Sequence, residues 1–225
     1  MYQTVFVDVD NTLLDFDACA RESLETAFRD YGVVCTDEML RTFHRINDGL
    51  WIEVEKTTLT REGLYKLRFP RIFEALGLTL PAAEFETKFR AGLDLCAVAF
   101  PDAEPFLRHL CGKYTVCIAS NAHQEQQRSR LERAGLLQYA DFLCTSEAMG
   151  AEKPGRAFFD ACFAKIPGAA PERSIMLGDS LTADIQGAKN YGIAAIWLDR
   201  KHKNDPGALR PDYIVHDLVE AMEIL

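Results

Sequence analysis

A chain of 225 residues, 48% hydrophobic and 26% charged, has the length for a sizeable core and an ordinary globular composition, which argues against disorder. Its formal net charge of −9 excludes the basic stripe that a nucleic-acid surface requires, so an anionic substrate has to be met by local charge. No window approaches the ~20 apolar residues of a membrane span, and the opening Met-Tyr-Gln-Thr lacks the cationic start of a secretion signal.

In chain order, the apolar run from Thr4 to Val9 predicts a first strand. From about Asp17 to Ala99 no strand pattern occurs; amphipathic helical patterns cover Leu24 to Phe28, Leu40 to Ile52, Leu64 to Leu76 and Phe85 to Leu95, with Gly77 and Pro81 separating the last pair. Further strand runs follow at Thr115 to Ala119, Phe142 to Thr145, Ser174 to Leu177 and Ala194 to Leu198. Segments of helical period lie between most of them, such as Phe106, Leu107 and Leu110, or Phe158, Phe159, Cys162 and Phe163. Strands alternating with helices predict an α/β fold, a Rossmann-like doubly wound parallel sheet covered on both faces. The expected boundaries are 1–15 with 100–225 for this core and 16–99 for an inserted all-helical domain. Chain crossings, and expected hinges for closure, fall near Leu14 to Asp17 and Phe100 to Pro105, and Arg200 to Arg210 reads as a polar loop after the fifth strand.

The seven cysteines (Cys19, Cys35, Cys96, Cys111, Cys117, Cys144, Cys162) are scattered and nowhere spaced Cys-x-x-Cys, which reads as reduced thiols of a cytoplasmic protein. His44, His109, His123, His202 and His216 show no ligand spacing, so neither a zinc nor an iron site is suggested.

Chemistry gathers at the strand ends, outside which open α/β sheets bind their ligands. The first run ends in Asp8-Val-Asp10-Asn-Thr12 and the second in Ser120-Asn121; Lys153-Pro154 follows the third, and Gly178-Asp179 with Asp184 follows the fourth. Each has an ordinary alternative: an aspartate, Ser120 or Asn121 can cap a helix, His123 can be a plain first-turn residue, and a lysine can be solvated surface. The ordered set is what points to a site.

That set resembles, over nearly the whole chain, the haloacid dehalogenase-like (HAD) hydrolase superfamily, and the helical insertion resembles its helical cap. The resemblance implies that Asp8 is a nucleophile forming an aspartyl-phosphate, and that Asp10 is the acid and base serving the leaving oxygen and the water. It further implies a Mg²⁺ cofactor held by Asp8, Asp10 through its carbonyl, and Asp179, with Asp184 supporting it from behind or through water. Lys153 would neutralise the phosphate and the nucleophile, while Ser120 and N–H groups at Asn121 bind phosphate oxygens. A dehalogenase needs neither the second acid nor magnesium, so Asp10 favours a phosphatase.

Asn47-Asp-Gly-Leu-Trp51, "RSRLERAGL" (Arg128 to Leu136) and "SEAMGAEKP" (Ser146 to Pro154) resemble the house-cleaning pyrimidine 5′-nucleotidase branch, implying a nucleoside monophosphate as substrate. Asn47 and Trp51 share one helical face, where Trp51 could stack on a base and Asn47 bond its edge; alternatively Trp51 is core of the helical domain and Asn47 a surface polar residue. Rival readings are a phosphatase for phosphoglycolate or a sugar phosphate, and a silent interaction module, against which the intact Asp8, Asp10, Lys153 and Asp179 argue. A mutase would need a cationic cluster in the cap, which the sequence lacks.

Overall fold

Apolar runs fold as strands and periodic segments as helices. In chain order these are β1 (Thr4–Val7), α1 (Phe16–Arg29), α2 (Asp37–Glu55), α3 (Arg61–Leu76), α4 (Ala82–Leu95), α5 (Ala103–Leu110), β2 (Thr115–Ser120), α6 (Gln124–Arg133), β3 (Phe142–Thr145), α7 (Ser146–Met149), α8 (Arg156–Lys165), β4 (Ser174–Gly178), α9 (Gln186–Tyr191), β5 (Ala194–Leu198), β6 (Tyr213–Val215) and α10 (Leu218–Ile224). The computed structural model describes residues 2–203 and 205–225.

All strand pairings are parallel, in the order β3-β2-β1-β4-β5-β6. The chain starts mid-sheet, runs to one edge and returns to the other side of β1, so strand order reverses between β1 and β4. Ligands of open α/β sheets bind at such a reversal. Side chains alternate across the sheet: Val5 and Val7 enter one apolar layer with Leu107, Ile118 and Leu177, while Phe6 enters the other with Phe159, Met176 and Trp197. Burial on both faces is why these strands read as continuous apolar runs.

The sheet and its helices form one compact unit, Met1–Asp15 with Val98–Leu225; α1 to α4 form a second, Phe16–Ala97. The helical unit has its own core, in which Phe28, Phe43, Phe69, Phe85 and Phe89 pack ring against ring. Thr36 and Thr60 accept N–H bonds that start α2 and α3, and Gly77, at φ +62°, ends α3 in the left-handed conformation.

One expectation is corrected. β1 stops at Val7 rather than Val9, because the N–H groups of Leu13 and Leu14 turn back to the Val9 carbonyl, with Asn11 at φ +60° inside the turn. Asp8 therefore lies just past the strand and Asp10 in the turn that follows it. The segment after Arg210 adds a sixth strand: three residues at the sheet edge, two of them exposed, are too few to show a period.

Candidate active site

Asp8 leaves β1 with its N–H on the Leu177 carbonyl, at 2.9 Å. Asp179 follows β4, and Asp184 lies on a π-helical turn, Leu181–Ile185, of the kind often found at functional sites. Gly178 permits this approach: a Cβ there would lie 2.2 Å from Asp184 Oδ2 and 2.4 Å from its Cγ. The Ser180 N–H donates to Asp184 Oδ2 at 3.1 Å, and Trp197 Nε1 donates to the Asp179 carbonyl at 3.1 Å. One carboxylate oxygen from each of Asp8, Asp179 and Asp184 lies within 4.8 Å of the other two.

Lys153 enters this cluster from the segment after β3. Its Nζ donates to Asp8 Oδ1 at 2.8 Å, Asp184 Oδ1 at 2.6 Å and the Ala119 carbonyl at 2.7 Å, which uses all three ammonium protons. The Asn121 side chain fixes that lysine's backbone, donating to its carbonyl and accepting from its N–H, both at 2.8 Å. The sequence points to Asn121 as a phosphate-binding N–H or a helix cap; its side chain instead holds the Lys153 backbone.

Burial pushes the Asp8 carboxyl up to about 7; Lys153 opposes the shift and Asp184 adds to it. Asp179 is likewise raised well above the carboxylate range, by lost hydration first and then by Asp8 and Asp184. For Lys153, burial works against the charge, but Asp184 and Asp8 outweigh it and raise the ammonium's pKa. Three carboxylates beside one ammonium leave excess negative charge among hard oxygen donors, a set that fits Mg²⁺.

Asp10 points toward α6. Its Oδ1 accepts from Arg130 Nη1 at 2.7 Å and its Oδ2 from Gln127 Nε2 at 2.8 Å. The same Gln127 nitrogen donates to Ser120 Oγ at 2.9 Å, while Gln127 Oε1 accepts from Arg130 Nη1 at 3.0 Å. Gln127 and Arg130 are buried, and neither is among the sequence-predicted site residues. The available signal was Leu131, the one apolar residue of α6: Gln127 lies four residues before it, hence on the same inward face.

Asn47 and Trp51 belong to the helical unit. Asn47 is buried, and its Oδ1 accepts from Arg68 Nη1 at 3.0 Å; Arg68 in turn grips Glu86 through both Nε and Nη2. The alternative surface position for Asn47 does not occur, since a buried guanidinium needs its acceptors. Trp51 is partly buried against Leu50, Val54 and Leu64. His123 precedes α6, with Nδ1 3.2 Å from Glu147 Oε1. All seven cysteines are free, and no helix among the described residues is long and apolar enough to cross a membrane.

Doubly wound order, strand-end carboxylates and a buried lysine define a hydrolase class: the chain belongs to the haloacid dehalogenase-like hydrolases, whose family pattern matches residues 2–192. It is 30% identical over 224 residues to YfnB of Bacillus subtilis, a HAD-hydrolase by its name, covering 100% of this chain and 95% of that one. The crystal structure of YfnB bound to magnesium superposes with a TM-score of 0.94 at 30% identity, covering 100% of this chain and 98% of that one. The chain is also 31% identical over 221 residues to the pyrimidine 5′-nucleotidase YjjG of Escherichia coli, covering 98% of this chain and 96% of YjjG. It is 29% identical over 225 residues to the pyrimidine 5′-nucleotidase PynA of Streptococcus pneumoniae, covering 100% and 95%.

Proposed function

We propose that this chain hydrolyses phosphoric monoesters through an aspartyl-phosphate on Asp8, with pyrimidine nucleoside 5′-monophosphates as substrates. The observation that carries the reading is the buried 2.8 Å contact of Lys153 with Asp8, beside Asp179 and Asp184: a carboxylate nucleophile with a fixed cation next to it. Asp8 attacks phosphorus as the bond to the leaving oxygen breaks, and Asp10 gives that oxygen its proton. Asp10 then takes a proton from the water that attacks the aspartyl-phosphate, which releases phosphate and restores Asp8. Lys153 offsets charge on the transferring group, while the Ser120 hydroxyl and N–H groups at Asn121 hold its oxygens. Asp8, the Asp10 carbonyl and Asp179, with Asp184 behind them, would hold a magnesium ion, which would supply Lewis-acid stabilisation of the phosphoryl oxygens.

The substrate class is supported by the names of YjjG and PynA, matched across nearly the whole chain. Partly exposed Trp51 is the candidate ring for a base, whereas Asn47 is engaged by Arg68.

Phosphate release from a panel of nucleoside 5′-monophosphates and of sugar and glycolate phosphates, with and without Mg²⁺, tests this for wild type and Asp8→Asn. Magnesium-dependent release from UMP, dUMP or dTMP, abolished by Asp8→Asn, is expected. Release only from sugar or glycolate phosphates would overturn the substrate assignment, and no release from any compound would overturn the enzyme reading.

A further inference from the structure

α6 holds both carboxylate oxygens of Asp10, Oδ1 through Arg130 at 2.7 Å and Oδ2 through Gln127 at 2.8 Å. The Asp10 side chain is 33% exposed and the Arg130 side chain 4%, so a partly solvated carboxylate is anchored to a guanidinium that cannot follow it into water. Gln127 is fully buried and its single amide nitrogen reaches both Asp10 and, at 2.9 Å, Ser120. Its own orientation is set by the 3.0 Å bond that Oε1 accepts from Arg130. Burying an arginine and a glutamine is costly unless their partners are held in place, and here those partners are two residues of the strand-end site.

We propose that Arg130 and Gln127 are positioning residues for proton transfer. They fix the Asp10 carboxylate in one orientation, and Gln127 ties that orientation to Ser120, so the proton donor and the phosphate-binding hydroxyl keep a constant separation. Each carboxylate oxygen carries two lone pairs; one accepts from α6 and the other stays open to the leaving oxygen or to water. Without the clamp, a side chain one-third exposed turns into solvent. The assignment rests on Asp10 being the acid and base of the proposed reaction.

The test compares kcat/KM, which reports the steps through aspartyl-phosphate formation, on two monoesters. One is p-nitrophenyl phosphate, whose leaving group departs without a proton; the other is an alkyl phosphate accepted by the wild type, whose leaving oxygen needs one. Arg130→Met, Gln127→Leu, Arg130→Lys and Asp10→Asn are measured side by side. Arg130→Met and Gln127→Leu are expected to lower kcat/KM on the alkyl ester by ~10²-fold, the lower end of what general acid catalysis supplies, and on p-nitrophenyl phosphate by less than ~10-fold. Arg130→Lys recovers part of the alkyl-ester rate. A merely structural role scales both substrates equally, so equal losses in folded Arg130 and Gln127 variants overturn the proposal. If Asp10→Asn alone shows the selective loss, the acid role of Asp10 stands and the positioning role falls; if Asp10→Asn also loses both equally, the reading of Asp10 itself falls. Should Arg130→Met fail to fold, Arg130→Lys and Gln127→Leu decide by the same ratio.

Discussion

Lys153 donates to Asp184 across 2.6 Å, with neither side chain more than 2% exposed. The same ammonium neutralises Asp8, so Lys153→Met leaves two buried carboxylates without their cation. Breaking a buried pair in this way costs about 3–5 kcal/mol. Urea denaturation of Lys153→Met near neutral pH is expected to show a loss of that size, and phosphate release is expected to fall by at least ~10²-fold. A variant as stable as wild type would mean the carboxylates are compensated from elsewhere.

Asp8, pushed up to about 7 by burial, and Asp179, raised for the same reason, bind a proton more tightly folded than unfolded. Their contribution to stability is full below the unfolded carboxyl pKa of about 4; that of Asp8 is lost as pH rises through about 7, and that of Asp179 as pH rises through its own raised folded value. Mg²⁺ requires the deprotonated carboxylates and stabilises only the fold that holds them together. Thermal melting is therefore expected to show a larger Mg²⁺-induced rise in Tm near pH 8 than near pH 5.5, and little rise in Asp179→Asn. An equal rise at both pH values would separate the ion from this cluster.

How much of this could be read beforehand depended on where each residue stands. Asp8 and Asp179 are legible because each directly follows an apolar run, and alternation of strands with helical periods is enough to bring strand ends together; Lys153, beyond β3 and α7, is legible only through its place in the ordered set. Gln127 and Arg130 are far less so: Leu131, the one apolar residue of α6, marks an inward face that Gln127 shares, but buried and solvated polar residues otherwise look alike in so polar a helix. Arg68 is equally silent: its partner Glu86 is 18 positions away on another helix, and only the fold pairs them. The apolar run overshoots the end of β1 because Val9 is as apolar and β-branched as Val5 and Val7; the chain turns there through bonds to the Val9 carbonyl, which composition does not reveal.

Gly178 illustrates a close approach with a measurable cost. In Gly178→Ala the new methyl would meet not only the tip of Asp184 but also its Cγ at 2.4 Å and Cβ at 2.8 Å, so rotating the carboxylate does not relieve the clash. Overpacking of this kind typically costs about 1–3 kcal/mol. Displacement of Asp184 also disturbs its bond to Lys153. Chemical denaturation of Gly178→Ala is expected to show that loss together with reduced phosphate release; unchanged stability would mean that the β4 turn gives way at little cost.

In the helical unit, Arg68 and Glu86 form a buried pair, and Arg68 also holds Asn47 and lies 4.7 Å from the centre of the Phe89 ring. Burial raises the Glu86 pKa even though Arg68 lowers it. Arg68→Met removes the paired charge and leaves the buried carboxylate with only the weaker attraction of Arg90, an expected cost of about 3–5 kcal/mol near pH 8. Because the folded pKa of Glu86 then lies still further above its unfolded value, the penalty shrinks as pH falls through the folded pKa and the carboxyl takes a proton. Adding Glu86→Leu removes the stranded charge and is expected to recover most of the loss, since apolar replacement of a buried pair is often neutral. The chain has two tryptophans, Trp51 in the helical unit and Trp197 in the sheet unit, so a Trp197→Phe background lets Trp51 fluorescence report unfolding of the helical unit by itself. A double variant no more stable than Arg68→Met would show that the guanidinium acts through Asn47 and the aromatic rings around it rather than through Glu86.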